Sequence, residues 1–92
     1  MIVAEFTVVP AVEGSLRPYV KAAIAEIEKS GLKYEVGAMG TTLEGDFDEV
    51  LAAIKRAHQA VLATGARRVV TSIKIDERHD GLSIEGKLEG FR

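Results

Sequence analysis

The feature that most restricts the fold is the alternation at the start of the chain. Ile2, Ala4, Phe6 and Val8 are all apolar, whereas the interleaved Val3, Glu5, Thr7 and Val9 are mixed. Successive side chains of an extended strand point to opposite faces, so this segment belongs to a sheet with one apolar and one mixed face. Pro10 lacks the N–H that a strand ladder needs and ends the run. The apolar face requires cover, and the rest of the chain has to supply it.

Two segments have the right spacing. Leu16, Val20, Ala23, Ile24 and Ile27 fall on one face of a helix. Ser15 is placed to cap it, Pro18 is tolerated in its first turn, and Gly31 occupies a left-handed position after its end. Phe47, Val50, Leu51, Ile54, Ala57, Val61 and Leu62 form a broader stripe, preceded by Asp46 and Glu49 in capping-box spacing and closed by Gly65. Between the helices, residues 32–38 and 41–44 read as strands joined by a turn at Met39-Gly40, with Gly45 breaking the second. Residues 67–76 read as a fourth strand, rich in Val and Ile. After the charged turn Glu77 to Gly81, Ser83 is placed to cap a short C-terminal helix bearing Ile84, Leu88 and Phe91 on one side. Gly86 and Gly90 each weaken that helix by roughly 1 kcal/mol relative to Ala. This tail therefore needs a docking surface, for which another subunit is one option.

The order βαββαβ with right-handed crossovers places both long helices on one face of a four-stranded antiparallel sheet. The expected fold class is α+β, a ferredoxin-like sandwich with a short C-terminal helix, and residues 1–92 are expected to form one domain. Ile73 and Ile75 should join Ile2, Ala4, Phe6 and Val8 beneath the helices. The opposite face should be open, carrying Val3, Glu5, Thr7, Val9, Val70, Ser72, Lys74 and Asp76. A hairpin turning at Met39-Gly40 adds Lys33, Glu35, Thr42 and Glu44; a slip of one residue would exchange Thr42 for Thr41. A face that mixes valines, hydroxyls and acids suits a subunit interface, a ligand shelf, or both.

Composition narrows the chemistry. The chain has 12 basic and 14 acidic residues and a net charge of −2, which does not suit a nucleic-acid surface. It has no cysteine, which removes disulfides and thiolate metal sites. No basic region precedes the first apolar run, and no apolar stretch approaches the length of a bilayer span, so a cytoplasmic location without membrane insertion is expected. His58 lies at the flank of the second helix stripe, where it either packs or offers a ligand hydrogen bond. His79 lies in a charged turn, and the two histidines do not have a metal-ligand spacing. Glu5 and Glu44 could hold a cation or bridge to Lys33 and Lys74 across strands; no nucleophile or base motif accompanies them, so no catalytic residues and no metal site are expected. Tyr34 is open to two readings, as a stacking residue or as core packing. RNA-binding modules of this topology need exposed aromatics on the central strands, which are missing here. Acylphosphatase chemistry needs an Asn, and the chain has none.

Several motifs resemble one family. They are Ile2-Val3-Ala4-Glu5-Phe6-Thr7-Val8-Val9-Pro10, Ser30-Gly31-Leu32-Lys33-Tyr34-Glu35, Met39-Gly40-Thr41, Leu43-Glu44-Gly45, Ala57-His58, Arg68-Val69-Val70-Thr71 and Lys74-Ile75-Asp76-Glu77-Arg78. In order and spacing they resemble the small thiamine-binding protein family, single-domain relatives of a two-repeat thiamine- or hydroxymethylpyrimidine-binding protein. The resemblance implies a ferredoxin-like fold, a homodimer that can pair into a homotetramer, and non-catalytic binding of thiamine or its hydroxymethylpyrimidine moiety in uptake, salvage or trafficking. No further cofactor is implied. The matching positions are Glu5, Thr7, Tyr34, Gly40, Thr41, Glu44, His58 and Thr71, with Thr42 added by the hairpin count. Val9, Met39 and Val70 are the expected apolar cover for the ligand rings. The alternative is an oligomeric structural or regulatory module whose open face only joins subunits.

Overall fold

Every expected strand and helix forms, and the computed structural model describes residues 1–92. In chain order the elements are β1 (Ile2–Pro10), α1 (Arg17–Lys29), β2 (Lys33–Val36), β3 (Thr41–Gly45), α2 (Phe47–Leu62), β4 (Val69–Glu77) and α3 (Ile84–Leu88). The four strands lie in the order β2-β3-β1-β4, with every neighbouring pair antiparallel. Both long helices pack on one face. This is the ferredoxin-like arrangement that the alternation and the two helix stripes predict.

The core is where those patterns meet. Ile2, Ala4 and Phe6 from β1 and Leu43 from β3 pack against Ala23 and Ile27 of α1 and against Val50, Ala53, Ile54, Ala57 and Val61 of α2. Each large side chain buried there contributes about 1.5–3 kcal/mol. Tyr34 and Tyr19 pack at the margin of the same cluster. The start of α2 is set by Asp46, whose carboxylate accepts from the backbone N–H groups of Asp48 and Glu49 at 3.2 and 3.4 Å. That is the acidic half of the expected capping box.

Five boundaries differ from the sequence reading. Strand β1 includes Pro10, which pairs with Val69, because the ladder continues past it through Ala11 N to Arg68 O at 2.8 Å. Helix α1 begins at Arg17, with Leu16 rather than Ser15 in the cap position; Ser15, one residue earlier, still accepts from Arg17 N at 3.1 Å. Strand β2 is shorter than residues 32–38, ending where Gly37 N donates to Gly40 O at 2.8 Å and closes the turn. Gly45 is part of β3 and does not break it. Leu32 lies so close that a Cβ at Gly45 would meet Leu32 Cδ2 at 2.9 Å, so the glycine makes room for a packing contact. Strand β4 starts at Val69 instead of Arg67 and runs on to Glu77.

Two larger corrections concern exposure. Ile73 and Ile75 pair with Phe6 and Ala4 on the helix face, as expected, yet are 44% and 40% exposed. They lie on an edge strand that has no neighbour on its outer side. The mixed face is not fully open, because residues 82–92 fold back onto it from the end of β4. Ser83 Oγ accepts from Gly86 N at the start of α3, as predicted. Ile84 is buried and Leu88 half-buried, but Phe91 is 83% exposed, since α3 stops at Leu88 and does not carry the stripe that far. The tail thus docks on its own sheet.

Leu43→Ala is expected to lower the unfolding free energy by about 2–5 kcal/mol, the usual cost of a cavity at a fully buried site. Asp46→Ala should cost about 0.5–2 kcal/mol through loss of the helix cap. Urea denaturation followed by circular dichroism measures both.

Candidate functional site

Strand pairing arranges the mixed face in transverse rows. One row runs Glu35, Thr42, Glu5, Lys74 across β2, β3, β1 and β4. The next runs Lys33, Glu44, Val3, Asp76. Beyond the first row, Thr7 stands opposite Ser72 and Val9 opposite Val70.

Residues 82–92 cross the second row and engage its charged members. Glu44 Oε1 accepts from Ile84 N at 2.7 Å. Lys33 faces Glu85 at 3.8 Å, and Lys87 forms an ion pair with Asp76. Val3, the apolar member, is only 6% exposed on a face where this segment is the only cover. In the first row, Glu35 is bound by Arg92 at 2.5 Å. Glu5 differs from the other acids of this face. Lys74 stands directly opposite it on β4, but no ion pair or hydrogen bond reaches its carboxylate.

Glu35, Thr42 and Glu5 of the first row, with Val3 of the second, are the floor of a niche of about 480 Å3, within the size range of small-molecule sites. Val3, Glu5, Glu35 and Thr42 come from the sheet, Met39 and Gly40 from the β2–β3 turn, and Ile84, Lys87, Leu88 and Arg92 from the tail. Gly40 has a specific part here. A Cβ at that position would stand 3.1 Å from Phe6 O and 3.2 Å from Glu5 Cγ, so the glycine lets the Glu5 side chain lie against the turn. Met39, expected to cover a ligand ring, lines the niche and is 86% exposed. Val9 and Val70, expected beside it, are exposed farther along β1 and β4 and do not line it.

The residues singled out from the sequence therefore divide between the two faces. Glu5, Thr7, Thr42 and Glu44 are on the mixed face, with Glu5 and Thr42 in the niche. Tyr34, Thr41 and Thr71 pair in register with Leu43, Phe6 and Val8, which puts them on the helix face. Thr41 is buried, and Tyr34 follows its packing reading. His58 reaches from α2 to β4, where its Nδ1 and Thr71 Oγ1 are joined by a hydrogen bond of 2.6 Å. The bridges from Glu5 and Glu44 to Lys33 and Lys74 do not form. His79 is exposed in its charged turn, beside the Arg78–Asp80 ion pair. The tail residues that wall the niche were not singled out as site residues. The spacing of Ile84 and Leu88 was the signal for them, since it required a surface to dock on.

Comparison with known proteins agrees with this architecture. Residues 4–92 match the family model described as thiamine-binding protein. A UPF0045 protein of Methanocaldococcus jannaschii is 51% identical over 92 residues, covering 98% of this chain and 91% of the relative. Its crystal structure superposes with a TM-score of 0.90. A UPF0045 protein of Methanothermobacter thermautotrophicus is 48% identical over 83 residues, covering 87% of this chain and 84% of that protein. The structure of a candidate thiamine biosynthesis/salvage protein of Thermotoga maritima has a TM-score of 0.90 at 35% identity, covering 99% of this chain and 98% of that one. With its model matched over nearly the whole sequence, the chain belongs to the thiamine-binding protein family.

Proposed function

We propose that this protein binds thiamine or its hydroxymethylpyrimidine portion in the niche, without chemistry on it, and serves thiamine uptake, salvage or trafficking. The observation that carries this reading is Glu5. It is the one acid of the mixed face with no partner, and it borders a concavity whose walls include Val3, Met39, Ile84 and Leu88. Thiamine combines a cationic thiazolium with an aminopyrimidine. A free carboxylate complements the former or accepts from the exocyclic amine of the latter. The Thr42 hydroxyl beside it can satisfy a ring nitrogen, and Met39 and Leu88 supply apolar contact to ring faces. The family model and the Thermotoga maritima neighbour support the same ligand class.

The working unit in this proposal is a homodimer, with a homotetramer as its further assembly. The support is β4, a nine-residue strand with an unpaired outer edge and with Val70, Ile73 and Ile75 each at least 40% exposed. A long apolar edge is a template for pairing with another strand. No helix of the chain is long and apolar enough to cross a membrane.

Calorimetric titration of protein stripped by unfolding and refolding should show saturable thiamine binding, and its absence at millimolar ligand would overturn the reading. Glu5→Gln is expected to weaken thiamine by about tenfold, equivalent to about 1.4 kcal/mol. Gly40→Ala should weaken it several-fold by displacing Glu5. His58→Ala should leave affinity unchanged; a large loss there instead would move the site to the helix face. Sedimentation should report a dimer for the unaltered chain and a monomer for Ile73→Lys, and unchanged mass in the variant would remove the β4 edge as the interface.

A further inference from the structure

We propose that residues 82–92 are a latched cover over the niche, opening as a unit while the sheet and long helices stay folded, and that the latch is the Glu44 carboxylate. What the cover does to a ligand rests on the niche being the binding site; the opening itself does not.

The case begins with backbone hydrogen bonds. Those made within the segment are local, from Lys87 N to Ser83 O, Glu89 N to Gly86 O and Phe91 N to Leu88 O. None joins its backbone to the backbone of a strand. The one tie between the segment's backbone and the sheet is the Ile84 N–H, held at 2.7 Å by Glu44 Oε1. A hydrogen bond to a carboxylate is among the stronger kinds, and this one is part-buried, whereas the Lys87–Asp76 and Arg92–Glu35 hydrogen bonds are exposed.

The remaining ties are weak in kind. The Lys33–Glu85, Lys87–Asp76 and Arg92–Glu35 pairs have side chains between 38% and 88% exposed. Exposed ion pairs contribute little and are screened by salt. Ile84 is the only buried residue of the segment. A five-residue helix with Gly86 inside it does not persist on its own. Gly81 and Gly90, at φ +87° and +89°, stand on either side of α3, and the first provides a hinge next to β4. Few buried apolar contacts and one dominant polar tie describe a segment that opens locally, well below the cost of global unfolding.

Opening has a defined result. It withdraws Ile84, Lys87, Leu88 and Arg92 from the niche and releases Glu35 from Arg92. It also uncovers Val3 and Glu44. Glu44 acts here by holding a wall of the site in place.

The test is residue-resolved amide hydrogen exchange on the full chain by NMR. In Glu44→Ala the Ile84 amide should exchange roughly tenfold faster or more, while the amides of β1 and β3 keep their rates. Glu44→Gln, which retains an acceptor without the charge, should fall between. Added salt should accelerate exchange in the segment alone. Ile84 exchanging only as slowly as the β1 and β3 amides in the unaltered chain, or remaining unaffected by Glu44→Ala, would overturn the proposal. A second arm adds thiamine, which should slow exchange at Ile84 and Lys87. Thiamine that binds without changing those rates would overturn the covering role. Thiamine that does not bind would remove the ligand reading and leave the first arm to decide whether the cover opens.

Discussion

The register of β1 between β3 and β4 is the constraint on which the rest of the molecule depends. Nine residues pair with β4 and five with β3, so every side chain of β1 has an assigned face. A slip of one residue would put Glu5 into the helix layer and turn Ala4 and Phe6 toward solvent. Burying an unpaired carboxylate in that core costs far more than any turn or loop could return. The same register aligns Glu35, Thr42, Glu5 and Lys74 in one row, and hence places the niche. Core and site are two readings of one strand alignment.

Charge on the mixed face is organised by subtraction. The face is dense with ionisable groups, and most are committed to the tail that crosses it. Glu44, Asp76, Lys33 and Glu35 each hold part of residues 82–92. What remains is Glu5, beside apolar wall residues, and Lys74, which does not line the niche. A binding niche on a small protein needs few polar groups if those few are unpaired and aimed, and the tail neutralises the competing ones. The segment that walls the niche is thus also the segment that gives it a single free charge.

How much of this was legible in the sequence depends on the range of the interaction. The alternation in β1, the cap at Asp46 and the middle of the α2 stripe are local patterns that appear where expected, whereas Phe47 and Leu62 at the ends of that stripe are exposed. Thr42 rather than Thr41 faces the niche, as the simple hairpin count indicates. The end of β2 is set by the Gly37–Gly40 turn bond, and Gly45 belongs to β3 because Leu32 packs against it, a contact between separate elements. The surface on which the tail docks is not legible for a similar reason. Its ties join residues 40 and 57 positions apart, Glu44 with Ile84 and Glu35 with Arg92, and a short helix containing glycine has too little periodicity to announce its partner. His58 and Thr71 were each singled out, but their hydrogen bond spans a helix and an edge strand and is fixed only by tertiary packing. The exposure of Ile73 and Ile75 follows from β4 lying at the edge, which strand order decides and alternation cannot.

Glu5 and Phe6 are consecutive residues of a sheet one layer thick, and the Gly40 contact touches both Phe6 O and the Glu5 side chain. The floor of the niche is therefore the ceiling of the hydrophobic core. A volume change beneath Phe6 acts on the strand that carries Glu5, so repacking the core and reshaping the niche are one mechanical event.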